Sequence, residues 1–292
     1  MTERDAQEPR PDLAWRFGWS SGRGAKARER AGWFHNYIGN LSLWSGYQYP
    51  EEPRFFDDAI RDLKRAVEML STYQPRENLA DAYAYKARHA SEGIEREDLL
   101  YKAERLYEAA SERVRALPED VRDRLQLRFA VSRAVAHLLL ETPEGLSNGL
   151  ETIVTLDDQQ DPPGLLSIAD RATVYNVGSC YALLDRLLRR YGEGVLISSS
   201  AGEREVLVRP RARALQYLAY ALIAWPDVRR FVGGDQDFQS LRGRDQVLEL
   251  VTLRSDGPSG SESDAETRAD WWAQATAATA AIEEEPHGTR DD

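Results

Sequence analysis

Ala59, Leu63 and Ala66 stand at i, i+4 and i+7, a small-large-small stripe along one face of a helix. The stripe returns as Ala103, Tyr107 and Ala110, and again as Ala214, Leu218 and Ala221. Gly149, Ile153 and Leu156 make a weaker copy. Small residues let two helices approach, and large ones fill the space beside them. Ala59 to Ala103 is 44 positions, and Ala103 to Gly149 is 46. Periods of this size mark stacked helix pairs. The spacing therefore predicts an all-α chain of antiparallel helix pairs over residues 26–254.

Helical periodicity and the usual stop signals divide that region further. The first helix is expected over 26–44, carrying Trp33, Tyr37, Leu41 and Trp44, and the second from Pro53, with Phe56 and Leu70 on its apolar face. Others follow over 77–91, 97–117, 119–141 and 143–158. Two more are expected from Ala172 and up to Pro226, where the missing N–H ends the helix. Between them, Val195–Ile197 and Glu205–Val208 flank a Ser- and Gly-rich centre, which predicts a β-hairpin insertion over 192–209. A short helix over 245–253 and a Gly/Ser linker over 255–263 precede an Ala-rich helix over 264–285 with adjacent Trp271 and Trp272. Residues 1–25 and 286–292 are polar and predicted to be partly or wholly disordered. Leu13-Ala-Trp15-Arg-Phe17-Gly-Trp19, within the first of these, alternates apolar residues and is expected to pack over the open end of the first helices or to dock on a partner.

Val174, Val177, Gly178 and Tyr181 on one helix, followed by Ala214, Leu218, Ala221 and Pro226 on the next, resemble the signature of a tetratricopeptide repeat. Ile38-Gly39 echoes Val177-Gly178, and Gly39 to Gly178 is 139 positions, close to three periods. The units here would be lengthened and degenerate, since that family repeats every 34 residues or so. The Asp235-x-Asp-Phe238-x-x-Leu241-Arg242 segment is similar to the close of many such proteins and would cap the last apolar face. The resemblance implies an α-solenoid whose first helices line a groove for a protein or peptide. Its inner-face positions would be Asn36, Asn40 and Leu43 in the first unit and Tyr175, Ser179 and Ala182 in the last, with Tyr85 and Arg88 between them. An Asn amide both donates and accepts, which suits a peptide backbone.

Composition narrows the partner. With 49 acidic and 38 basic residues, the net charge of −11 disfavours nucleic acid and anionic membrane. The basic cluster Arg23, Lys26, Arg28 and Arg30 has Glu29 within it and reads as a solvated helix face. A single cysteine, Cys180, rules out an internal disulfide. The polar Met1–Pro11 stretch and the lack of a long apolar run lead to the expectation of a cytoplasmic protein without membrane association.

No catalytic constellation stands out. His35, His89, His137 and His287 are scattered, without metal-ligand spacing. Ser20–Lys26 lacks the phosphate-loop spacing, and no G-x-S-x-G elbow is present. The expectation is a non-enzymatic interaction module without cofactor or metal. It would bind a protein or peptide through the groove; the tail helix would either fold back onto the array, the favoured reading because it is tethered to it, or dock on a partner through Trp271 and Trp272. A ligand- or peptide-responsive sensor subunit and an enzyme with a dispersed site are the alternatives.

Overall fold

The computed structural model describes residues 24–49, 51–91, 93–159, 169–191, 210–225, 228–232, 235–241, 243–253 and 265–283. These form α1 (Ala25–Gln48), α2 (Arg54–Met69), α3 (Gln74–His89), α4 (Ile94–Arg113), α5 (Glu119–Leu139) and α6 (Pro143–Gln159). After them come α7 (Arg171–Tyr191), α8 (Pro210–Ala224), α9 (Arg229–Val232), α10 (Gln236–Gln239), α11 (Arg244–Leu253) and α12 (Ala265–Glu283). Among the described residues there is no strand. The expected hairpin at 192–209 lies outside them, as do residues 1–23, the whole linker at 255–263 and the tail beyond 283.

The helices pack as consecutive pairs: α1 on α2, α3 on α4, α5 on α6 and α7 on α8. The first helices of successive pairs also touch, α1 on α3, α3 on α5 and α5 on α7. The small-large-small stripes make the pairs close. Ala59, Leu63, Ala66, Ala103, Ala110, Ala214, Leu218 and Ala221 are all essentially without solvent contact. Tyr107 and Ile153 are buried in the same way, while the side chain of Leu156 lies outside the described set. Leu125, Phe129, Ser132, Val135 and Leu139 give α5 its expected buried face.

On α1 the expected apolar face is turned outward. Gly32, Asn36, Gly39, Leu43 and Gly46 form the buried stripe instead. A Cβ placed on Gly32, Gly39 or Gly46 would lie 2.5 to 2.7 Å from a side-chain carbon of Leu70, Leu63 or Phe56. The glycines therefore let α2 approach to contact distance, and Tyr37, Leu41 and Trp44 are left on the exposed side.

Local signals set several boundaries. Asp170 caps α7, its Oδ1 accepting from the Thr173 N–H and hydroxyl, both at 2.8 Å. The Thr142 hydroxyl oxygen accepts from the Gly145 N–H at 3.1 Å as α6 begins. Pro75 occupies the first turn of α3, which starts three residues before the position expected from the sequence. Glu141, just past α5, adopts φ 54, a left-handed conformation usually left to Gly or Asn. Its carboxylate gathers Arg96 of α4 at 3.1 Å and Arg186 and Arg190 of α7 at 2.6 Å each, tying three helices at one point.

Candidate functional site

Glu77, Asp81, Tyr85 and Arg88 stand at i, i+4, i+8 and i+11, one line along α3. Each finds its partner on a different element. Arg128 of α5 pairs with Glu77 and, at 3.1 Å, with Asp170. The Tyr107 hydroxyl of α4 donates to Asp81 at 2.7 Å. The Tyr85 ring lies 4.2 Å from that of Tyr47 on α1, and the Arg88 guanidinium covers its other side at 4.4 Å. Arg88 then donates to Asp237 at 2.8 Å, a pair almost closed to solvent.

Asp237 belongs to the short segment that follows α9. Asp235 caps α10 by accepting from the Asp237 N–H at 2.9 Å and also accepts from the Tyr175 hydroxyl of α7 at 2.7 Å. Phe238 is fully buried, its ring 5.3 Å from Tyr175 and in van der Waals range of the position a Cβ on Gly178 would take. The segment thus joins α3 to α7 through two carboxylates and one aromatic ring.

Burial dominates the electrostatics of this line. It pushes Glu77 up to about 7 against the pull of Arg128. It likewise pushes Asp235 up to about 6, helped by the neighbouring Asp237 carboxylate. Asp81 moves up and the Tyr85 hydroxyl reaches about 12 for the same reason. Burial opposes the charge on Arg88, but Asp237 and the other groups around it outweigh that penalty and hold it well above its usual range. Perturbed carboxylates mark either catalytic acids and bases or ion networks. Here each faces an Arg or Tyr: Glu77 meets Arg128, Asp81 meets Tyr107 and Asp235 meets Tyr175.

The residues expected on the groove divide into three groups. Tyr85, Arg88 and Tyr175 converge on the 235–238 segment. Asn36 and Ser179 do not face a groove: both are buried, and the Asn36 side-chain oxygen accepts from Asn78 Nδ2 at 3.0 Å. Leu43 and Ala182 are core residues as well. Asn40 is half-buried. Trp271 and Trp272, expected to fold back onto the array or to meet a partner, face α8 of their own chain. Trp271 is buried with its ring edge-on to Tyr220, and Trp272 lies 5.0 Å from Tyr217.

Glu77, Asp81, Arg128 and Asp170 escaped the sequence reading. The i, i+4, i+8, i+11 polar line on α3 is the signal that could have found the first two. On α1 the ring of Trp44 lies 6.2 Å from that of Tyr47, and the exposed Leu41, Tyr37 and Phe34 follow toward the start of the helix.

Among the described residues no group of three His, Cys, Asp or Glu side chains is placed to hold a metal ion. No described helix is long and apolar enough to cross a membrane. Comparison of the chain with models of known families, with characterised proteins and with solved structures gives no match.

Proposed function

We propose that this chain is a non-enzymatic interaction module, an adaptor or regulatory subunit that holds a protein or peptide on the inner wall of its stacked helix pairs. In this reading the pairs form an α-solenoid of lengthened tetratricopeptide-like units. The first helices α1, α3, α5 and α7 line its groove. The observation that carries it is the 235–238 segment. A peptide-like stretch of the chain itself is gripped on that wall by Arg88, Tyr175 and the space left by Gly178. The same wall carries a half-exposed aromatic strip on α1, to which a partner would bind by displacing whatever part of the chain rests there. Arrays of this kind bind along the wall, with aromatic anchors and polar groups that fix register.

The test is capture from the encoding organism with the full chain and with a Tyr37→Ser/Trp44→Ser variant, both checked for an intact helical fold. Both positions are exposed, so the fold should survive. One protein held in stoichiometric amount by the parent and lost by the variant supports the proposal. Capture of nothing, or of the same proteins by both forms, overturns it.

A further inference from the structure

Phe34, Tyr37, Leu41 and Trp44 are 58%, 45%, 39% and 46% exposed, and they follow one another along a single face of α1. Only Tyr49, Ile94 and Tyr101 join them as exposed large apolar side chains among the described residues. The helices packed on α1 do not cover this face. α2 meets the Gly32, Gly39 and Gly46 side, and α3 meets α1 through Asn36 and Tyr47. A contiguous apolar strip of this kind marks an interface.

We propose that its occupant is the chain's own segment Leu13-Ala-Trp15-Arg-Phe17-Gly-Trp19, which lies outside the described residues. Three features of the sequence and geometry favour it. The segment alternates, so an extended backbone puts Leu13, Trp15, Phe17 and Trp19 on one side, about 6.6 Å apart. The four α1 side chains step along the helix by about 4.5 to 6 Å, so the two rows have similar spacing and comparable length, about 15 Å against about 20 Å. The tether also reaches. Phe34 lies about 14 Å along the helix from Ala25, and the Ser20–Gly24 link spans up to about 20 Å when extended. Trp19 can therefore meet Phe34, and the row can run on toward Trp44. A tethered segment acts at an effective concentration of about a millimolar. A second copy must approach against a net charge of −11 on each chain.

The test uses a fluorescent peptide of residues 10–22 and purified full-length protein. The parent chain should bind it poorly, because its own segment holds the face. A Trp15→Ser/Phe17→Ser/Trp19→Ser chain should bind at least tenfold more tightly. Adding Tyr37→Ser and Leu41→Ser to that chain should abolish the gain. Equal weak binding to parent and triple variant, or a gain that survives Tyr37→Ser and Leu41→Ser, overturns the proposal. So does a parent dimer in light scattering that Tyr37→Ser dissolves, which would give the face to a second copy. Purified components alone enter this measurement, so its failure is distinguishable from failure of the capture experiment.

Discussion

Glu77 carries a charge problem that folding creates. Its carboxyl is buried on α3 and lifted from an ordinary 4.5 to about 7, with Arg128 and Asp81 beside it. An acid whose pKa rises on folding binds its proton more tightly in the folded state. Stability is then greatest at low pH and falls as pH climbs from about 4.5 to about 7. Asp235 acts in the same direction between 3.8 and about 6. Asp62 and Asp170 work the other way. Burial alone would raise both, but His35 and Arg61 hold Asp62 down, and Thr173 and Arg128 hold Asp170 down. Their contribution is lost as pH drops below about 4. Urea unfolding should therefore show higher stability near pH 5 than near pH 8, by about 2 kcal/mol. Glu77→Gln should flatten most of that slope, and a slope unchanged in the variant would place its origin elsewhere. Tyr85 and Arg88 were expected as groove residues only through the family resemblance. Glu77 and Asp81 were not, because acidic residues in the early turns of a helix normally face water and complement its dipole. Their place inside depends on partners delivered by α5 and α4, Arg128 for Glu77 and Tyr107 for Asp81.

At the scale of elements, the second helix of each pair was the most legible. A stripe of Ala flanking one large residue has a single use, close packing, and the described stripe positions are all buried. α1 misled for a physical reason. Periodicity assigns the bulky face to the core, but here three glycines make the contact and the aromatics are turned out. Gly39 has almost no slack, since an added Cβ would come 2.5 Å from Leu63 Cγ and 3.2 Å from its backbone N. At Gly178 the nearest atom, Tyr217 Cβ, is 3.2 Å away. Gly39→Ala should destabilise by about 1–3 kcal/mol as the pair is forced apart. Gly178→Ala should cost clearly less, because its nearest neighbour at 3.2 Å has far less distance to give, while the gain of about 1 kcal/mol in helix propensity is common to both. Thermal unfolding of the two variants side by side decides this, and the reverse order would mean that α1 and α2 are less rigidly seated than the glycine contacts require.

Across the whole molecule, the order of the pairs could be read from the sequence, but its closure could not. Nothing in local periodicity says that α12 returns to α8, or that residues 235–238 reach α3. Those contacts depend on side chains far apart in sequence. The return of α12 buries Trp271 over Tyr220 and seats Ile282 against Gly243 beside Leu215. A chain ending at Leu253 should lose that cover and melt several degrees lower, with greater dye binding to exposed apolar surface. An unchanged melting temperature would mean that α12 adds no stability to the helices it covers.

The Arg88–Asp237 pair spans 149 residues. In an open array each unit leans only on its neighbours, so an end can fray while the rest persists. Here, loosening the segment after α9 strands a guanidinium on α3 without its counter-charge, so units far apart in sequence share one fate. The same pair sets an order of events during synthesis. α3 leaves the ribosome long before Asp237 exists, and Arg88 waits without this partner until the later segment follows. A part made late therefore locks a part made early.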